Sequence, residues 1–579
     1  MTEMAETVWQ RWHDERRLPP ALRLELQTLI ESGAQAELRD RFAEDLQFGT
    51  GGLRAKMGVG TNRMNVYTVR RATVGVVEWI RETTPKERWR LAIGYDGRRD
   101  SATFAREIAG VAAARGVHAC LFAEARPTPM LSFAVRHLQC AAGVMVTASH
   151  NPPEYNGYKV YGSDGGQILT ADAERIVTLM RQETDMFGVA ALAPDDAQFQ
   201  ALVVTLAEDL ERAYYERLAP LLQVESADAK DALTIVYTPL HGTGGETVPR
   251  ALRLAGYNHL ATVPEQSALD EEFTFVRNPN PEESVAYDLA LALAQEQKAD
   301  IVLATDPDAD RVGMMIRRSD GAYELLTGNE VGALFLSYHL ETLAKQGNTP
   351  AQGAVITTIV TSDFGEAVAQ AYGVLTERTL TGFKYIGDKI GQYERDGKNH
   401  FVFGYEESVG YLLLPFVRDK DAIQAAVFLA NMAASLKQRH GDLGTALQVL
   451  YTRFGYYRDR LLSYNFAGRD GVQRMGALMA DLRQNPLRAQ DAPLFAVEDY
   501  LTLLKTTMAD GQKNTLTLPA SDVLKFRFAG DAWVAVRPSG TEPKLKVYIG
   551  VKGTDAQSAN AQVDRLQTLV ESRLQSYLA

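Results

Sequence analysis

A chain of 579 residues, 46% hydrophobic and 23% charged, is too long for one core and fits about four domains of a globular protein. No apolar run reaches the ~18 residues of a membrane helix, and the charged N-terminus holds no apolar signal core. The net charge of −12 argues against a nucleic-acid surface and means that a phosphorylated ligand must be held by a local basic pocket. Cys120 and Cys140 are the only cysteines, too few for a disulfide framework or a metal–cysteine cluster, so a reducing, cytoplasmic setting is expected.

Residues 1–47 read as a helical extension. Pro19-Pro20 precede a stripe of Leu22, Leu26, Leu29 and Ile30, Gly33 ends it, and Leu38, Phe42 and Leu46 form a second stripe. Nothing there suggests chemistry. Phe48-Gly49-Thr50-Gly51-Gly52-Leu53-Arg54 follows. It is either a flexible linker or a loop whose backbone donors approach a phosphate, with Thr50 and Arg54 beside it. No Gly-Lys-Ser/Thr closes it, so it is not a Walker loop.

Residues 48–205 alternate helices and apolar strands, as an α/β unit does. Residues 91–95 read as a strand entering an Asp96-Gly97 turn, 101–115 as a helix and 119–122 as a strand. The apolar run 143–146 is a further strand, ended by Thr147-Ala148-Ser149-His150-Asn151-Pro152-Pro153. Prolines supply no backbone donor and bar helical geometry before them, so Ser149 is presented on a tight loop. It is either a turn residue or a nucleophile. A nucleophilic serine needs a base or a nearby positive charge, which His150 and Lys159 can supply.

Residues 206–325 make a second α/β unit. Residues 233–237 form a strand, and His241-Gly242-Thr243-Gly244-Gly245 a turn in which His241 either touches a ligand or, as a lone histidine, is a turn residue, the reading preferred here. A buried strand at 301–305 runs into Asp306-Pro307-Asp308-Ala309-Asp310-Arg311. Carboxylates at i, i+2 and i+4 on an extended loop point the same way. Unpaired they repel, so a hard divalent cation is their natural partner, and few protein ligands plus a phosphate oxygen suit Mg²⁺. An EF-hand fails here, because Arg311 and Arg317 stand where its glycine and final glutamate belong.

A third α/β unit spans residues 326–450. Thr381-Gly382-Phe383-Lys384-Tyr385-Ile386-Gly387 echoes Asn156-Gly157-Tyr158-Lys159-Val160-Tyr161-Gly162, which suggests a duplication placing Lys159 and Lys384 on corresponding loops. The strand 401–403 enters Gly404-Tyr405-Glu406-Glu407-Ser408, where carboxylate and hydroxyl suit vicinal sugar hydroxyls. Residues 451–579 read as a small α+β domain with strands near 523–528, 533–536 and 545–551 and a last helix striped by Val563, Leu566, Val570 and Leu574. Its Arg537-Pro538-Ser539-Gly540-Thr541-Glu542-Pro543-Lys544 segment combines arginine, hydroxyls and glycine-exposed backbone, an anion cradle.

Taken together these motifs carry a resemblance. Thr147–Pro152 resembles the phosphoserine loop of the α-D-phosphohexomutases, the phosphoglucomutase and phosphomannomutase superfamily. The Asp-x-Asp-x-Asp-Arg loop, the Gly-rich segment with Arg54, the Glu-x-Ser pair at Glu406 and Ser408, and the 537–544 segment are similar to its other site loops, in the expected order. Tyr405 after Gly404, and Val409-Gly410-Tyr411 in place of Ser-Gly-His, depart from the bacterial phosphomannomutase branch and favour glucose phosphate. The resemblance implies three similar α/β domains with mixed sheets plus a smaller C-terminal α+β domain around a central cleft.

It also implies a phosphoglucomutase working through phosphorylated Ser149 and glucose 1,6-bisphosphate. Ser149, Asp306, Asp308 and Asp310 would hold Mg²⁺, Glu406 and Ser408 the sugar, and Arg537, Ser539, Gly540 and Thr541 the distant phosphate. Thr50, Arg54, Arg311 and Lys384 would line the substrate site. His150, Lys159, Arg54 and Lys384 stand as equal candidates for proton transfer or charge stabilisation. Phosphomannomutase and phosphopentomutase share the scheme. A haloacid-dehalogenase-like phosphatase, which would need an aspartyl nucleophile, and a non-catalytic sugar-phosphate-binding regulator are the rival classes.

Overall fold

The computed structural model describes residues 3–49, 51–466, 470–488, 492–539 and 544–578. Three helices, Glu3–Asp14, Pro20–Glu31 and Gln35–Phe42, open the chain. Leu26, Leu38 and Phe42 bury against Trp12, Tyr67 and Phe187, so both apolar stripes are spent on packing.

Four sheets follow. The first carries, in spatial order, Gly52–Lys56, Tyr155–Gly162, Ala142–Val146, Arg90–Tyr95, His118–Phe122 and Val203–Leu206. Its centre is parallel, and Tyr155–Gly162 runs antiparallel beside Ala142–Val146. In the second sheet Leu260–Thr262, Ile235–Thr238 and Ile301–Thr305 are parallel, and Val312–Arg317 turns back antiparallel. In the third, Leu375–Thr379, Gly353–Thr358 and His400–Glu406 are parallel, and Gly410–Leu412 turns back. Ala142–Val146 and Ile301–Thr305 are buried at every position, which explains why both read as unbroken apolar runs.

The common plan is a buried parallel strand, a short loop and an antiparallel return. The Ser149 loop, the 306–311 loop and the 406–409 loop each occupy that hairpin position in their sheet. This is the structural repeat, and it corrects the expected one. Lys159 lies on the returning strand Tyr155–Gly162, whereas Lys384 lies in the first turn of the helix Phe383–Asp396. The Gly-aromatic-Lys echo therefore does not mark corresponding loops. Gly382, at φ 118°, sends the chain into a helix where the first unit continues as strand.

The last sheet has seven strands, all antiparallel, from Tyr456–Asn465 at one edge to Lys513–Thr515 at the other. The helices Gly471–Gln484 and Ala556–Leu578 close its core, the latter through Val563, Leu566, Val570 and Leu574. The helix Leu443–Phe454 runs through residue 450, so a boundary there cuts a helix. The helix Ala422–His440 is buried over most of its surface and shares one core with strands and helices of the first two units. No helix among the described residues is long and apolar enough to cross a membrane.

Candidate active site

Ser149 sits in left-handed backbone, φ 52°, a strained setting for a non-glycine residue. Its N–H donates to Thr147 Oγ1 at 2.9 Å. Its hydroxyl donates to Asp306 Oδ2 at 2.7 Å and lies 3.3 Å from His150 Nδ1. Loss of water contact and the charges of Arg311 and Arg54 push the His150 imidazole well below its ordinary range, so it is neutral near pH 7. Arg54 Nη1 donates to Asn151 Oδ1 at 3.2 Å, which places it beside the same loop. Thr50 lies outside the described residues.

Asp306, Asp308 and Asp310 are all buried, and they offer ligand atoms within 4.8 Å of one another. The loop is pinned from several sides. Asp306 Oδ1 accepts from the N–H groups of Asp310 and Arg311 at 3.2 and 3.1 Å. Thr128 Oγ1 donates to Asp308 Oδ2 at 2.8 Å, and Thr243 Oγ1 to the Pro307 carbonyl at 3.0 Å. Gly242 comes so close to Pro307 that a Cβ would lie 2.5 Å from its Cα. His241 is a turn residue as expected, bonded to Ala268 O and Phe275 N, and the glycine turn buttresses the acidic loop.

Asp308 Oδ1 and Asp310 Oδ1 are buried without a hydrogen-bond partner among the described residues. Burial and the two neighbouring carboxylates drive Asp306 far above the ordinary carboxylate range. Two orphaned carboxylate oxygens beside a third are the donor set of a hard cation, so these residues fit Mg²⁺.

Cations frame the triad. Lys159 Nζ lies 2.7 Å from Asp308 Oδ2 and 3.5 Å from Asp310 Oδ2. Burial acts against its charge, but those two carboxylates outweigh it and hold Lys159 above its usual range. Arg311 pairs with Glu282 at 3.0 Å, and its Nε is 3.8 Å from Asp310. Lys420 Nζ lies 3.1 Å from Asp310 and 2.9 Å from Asp419, which accepts the Tyr161 hydroxyl at 2.9 Å.

Sequence reasoning passed over Lys420. The signal was present: Arg418-Asp419-Lys420-Asp421 is a run of charges framed by apolar residues on both sides, and all four are buried. It also passed over Arg98, whose buried guanidinium bonds four carbonyls of the Ser149 loop. Its signal was weaker, one arginine after the Asp96-Gly97 turn.

Glu406 is buried at the end of the strand His400–Glu406, and its Oε1 accepts the Gly382 N–H at 2.9 Å. Burial raises its carboxyl, while Lys420 and Arg311 pull it down. Glu407 turns away, accepting from the hydroxyls of Thr358 and Thr361 at 3.3 and 3.2 Å, and burial with Glu406 beside it pushes it up to about 7. Ser408 is half-buried, and the next residue, Val409, is held at φ 53° while its carbonyl accepts the Val312 N–H at 3.0 Å. The third hairpin thus leans on the second.

Lys384 is buried, and burial with the charge of Arg537 pushes it down to about 8. Arg537 stands opposite Lys546 across the ladder between Ala532–Pro538 and Lys544–Gly553. Like charges directly opposite repel, and Lys546, lowered by burial and by Arg311, faces the metal loop's arginine too. The Ser539 N–H donates to the Lys544 carbonyl at 2.7 Å. Gly540 and Thr541 lie outside the described residues. Lys384, Arg537 and Lys546 thus gather positive charge from the third and fourth units, the last of them near the acidic loop's Arg311, which suits an anion.

Known proteins share this order of four domains. The chain matches the phosphoglucomutase/phosphomannomutase alpha/beta/alpha domains I, II and III over residues 45–186, 212–321 and 327–454, and the C-terminal domain over 496–567. It is 36% identical over 545 residues to a phosphoglucomutase of Staphylococcus haemolyticus (strain JCSC1435), covering 94% of this chain and 95% of that one. It is 35% identical over 538 residues to one of Staphylococcus aureus (strain bovine RF122 / ET3-1), with 92% and 95% coverage. Among solved structures, parafusin (a phosphoglucomutase) from Paramecium, in an open form, shares the fold with TM-score 0.64 at 18% identity, over 93% of this chain and 96% of that one. A family protein from Burkholderia thailandensis also shares it, at TM-score 0.64 and 18% identity, over 91% and 97%. The dehalogenase-like and non-catalytic alternatives are set aside. With all four domains in order and a relative matched along nearly its whole length, the chain belongs to the phosphoglucomutase/phosphomannomutase family of the α-D-phosphohexomutase superfamily and is an intramolecular phosphotransferase.

Proposed function

We propose that the protein is a phosphoglucomutase, interconverting α-D-glucose 1-phosphate and glucose 6-phosphate through phosphorylated Ser149 and glucose 1,6-bisphosphate. The observation that carries the chemistry is the Ser149 hydroxyl 2.7 Å from Asp306, next to two orphaned carboxylate oxygens. The choice of glucose rests on the 36% identity to a phosphoglucomutase along almost the full chain.

Asp306, Asp308 and Asp310 would hold Mg²⁺, which when bound neutralises charge on the transferring phosphoryl group. Ser149 carries that group and passes it to the free hydroxyl of the sugar phosphate. Glu406 and Ser408 hold sugar hydroxyls. Arg537 and Ser539, with Gly540 and Thr541, hold the phosphate that does not react, and Lys384 and Arg54 add positive charge. The bisphosphate turns over in the cleft and returns its other phosphate to Ser149.

Proton transfer to and from the sugar hydroxyl needs a group near Ser149. His150 is neutral there, and Lys420 stands between the triad and Glu406. Lys159, tied to Asp308 and Asp310, is better suited to holding the carboxylates in place. We place the chain in a reducing, cytoplasmic setting on its having two cysteines, Cys120 and Cys140.

The test is mutase activity with Mg²⁺ on the 1-phosphates of glucose, mannose and ribose, each primed with a trace of the matching bisphosphate, with Ser149→Ala alongside. Preference for glucose 1-phosphate that disappears in the variant is the expected result. Preference for mannose or ribose moves the substrate and keeps the mechanism. Near-normal activity of Ser149→Ala overturns the scheme.

A further inference from the structure

The loop from Ser149 to Tyr155 has a backbone problem. Up to Tyr155, where the strand Tyr155–Gly162 begins, it lies outside any ladder, two prolines remove donors, and the carbonyls of Ser149 and Asn151, both buried residues, still need partners. One side chain answers most of it. Arg98 Nη2 donates to the carbonyls of Ser149 and Asn151, and Nη1 donates to those of Pro152 at 2.9 Å and Tyr155 at 3.1 Å. Its side chain is wholly buried, and its Nε lies 3.3 Å from Asp96 Oδ2. Asp96 is fixed in turn by the Arg98 N–H at 3.0 Å and the Ser101 hydroxyl at 2.8 Å. A planar fork of five donors can serve four spread oxygens; a lysine, donating from one point, cannot.

We infer that Arg98 is the positioning residue for the Ser149 nucleophile, and that a segment of the second unit completes its clamp; this rests on Ser149 as the phosphoryl carrier. Ser149 is pinned on both sides of its strained φ, the N–H by Thr147 Oγ1 and the carbonyl by Arg98. Released from that grip, Ser149 relaxes toward negative φ and its hydroxyl leaves Asp306.

The second unit reaches the clamp at three neighbouring points. The Phe273 ring lies 4.9 Å from the Arg98 guanidinium carbon. Arg99 pairs with Glu272. Gly97 leaves room for Leu269, which a Cβ would meet at 2.8 Å. The unit that carries Asp306 thus braces the residue that aims Ser149 at it.

The experiment compares the parent chain with Arg98→Lys, Phe273→Ala, the double variant and Ser149→Ala. Each is assayed for kcat and KM on glucose 1-phosphate with Mg²⁺ and a trace of glucose 1,6-bisphosphate, and for folded fraction by thermal unfolding. In folded Arg98→Lys, kcat falls on the order of 100-fold while KM changes little, as a misplacement of about 1 Å at the reacting atom costs. Phe273→Ala falls about 10-fold in the same sense, and the double variant is no slower than Arg98→Lys, because both act through one guanidinium.

A kcat for folded Arg98→Lys within about threefold of the parent, a loss confined to KM, or additive effects in the double variant overturns the clamp. Those outcomes with a Ser149-dependent parent leave the mutase reading standing. A parent that turns over without Ser149 overturns both.

Discussion

The Ser149 hydroxyl donates to Asp306 across 157 residues of sequence, joining the hairpin loop of the first sheet to that of the second at 2.7 Å. The serine's hydroxyl is thus aimed by the acidic loop, and the acidic loop has two oxygens left over for something else.

That remainder predicts how a cation stabilises the chain. Mg²⁺ at one hundred times its dissociation constant should stabilise the fold by about 2.7 kcal/mol, and chelation should stop turnover. Asp306→Asn keeps an oxygen for the N–H groups of Asp310 and Arg311 and removes an acid that burial and two neighbouring carboxylates make costly to ionise. The metal-free variant should be at least as stable as the metal-free parent, yet gain little from Mg²⁺. Thermal melts with and without the ion check this; an equal gain in both would remove Asp306 from the ligand set.

Asp421 predicts a stability effect with a pH signature. It caps the helix Ala422–His440, accepting from Ile423 and Gln424 N–H at 3.0 and 3.1 Å, and also takes the Tyr214 hydroxyl at 2.6 Å. Asp421→Ala loses the cap and strands a buried phenol, about 3 kcal/mol together, whereas Asp421→Asn should cost far less. Burial pushes the carboxyl up to about 6, above its unfolded value. The unfolded chain therefore gives up its proton first, and this contribution is present below about pH 4 and lost as pH rises through about 6. Urea unfolding over that window should show the slope in the parent and not in Asp421→Asn.

The adjacent glutamates should separate in kinetics. Glu406 is bonded to Gly382 N–H and feels Lys420 and Arg311, while Glu407 is committed to Thr358 and Thr361. On the proposed reading Glu406→Gln lowers kcat/KM by about 30-fold, the loss of a charge-assisted bond or two to sugar hydroxyls, and Glu407→Gln leaves it within a few fold. The reverse order would move the sugar contact to Glu407.

Much of this was legible because chemistry that sits on one hairpin is contiguous in sequence. The Thr147–Pro152 and Asp306–Arg311 motifs each occupy the turn between two neighbouring strands, so strand, loop and ligands are read in one window. Arg98 and Lys420 escaped that window. Arg98 acts on carbonyls more than 50 residues away, and Lys420 on Asp310 from the third unit. The matching Gly-aromatic-Lys strings misled for the opposite reason. Local similarity was real, but cross-strand pairing holds Lys159 in a sheet, while Lys384 has no such partner strand and starts a helix. The true repeat, strand–loop–return, is a matter of pairing direction, which a residue string does not carry.

Lys384 gives a prediction in which activity and stability move in opposite directions. Burial and Arg537 push its ammonium down to about 8, against about 10.4 in an unfolded chain. If Lys384 supplies charge to a sugar phosphate, kcat/KM falls as pH rises through about 8, since that ratio reports the free enzyme. Unfolding shows the opposite trend. Between about pH 8 and 10.4 the unfolded chain holds the proton that the folded chain has lost, so this group's contribution to stability rises with pH. A loss of activity above pH ~8 without a matching drop in melting temperature therefore belongs to the site and not to the fold. Lys384→Arg keeps its charge throughout this range, and its kcat/KM should hold level past the point where the parent declines. Substrate ionisation cannot mimic the effect, because a phosphate monoester loses its second proton around pH 6, well below this window. If parent and Lys384→Arg decline together, Lys384 does not carry the substrate's charge, and the positive charge for it is left to Arg537, Lys546 and Arg311.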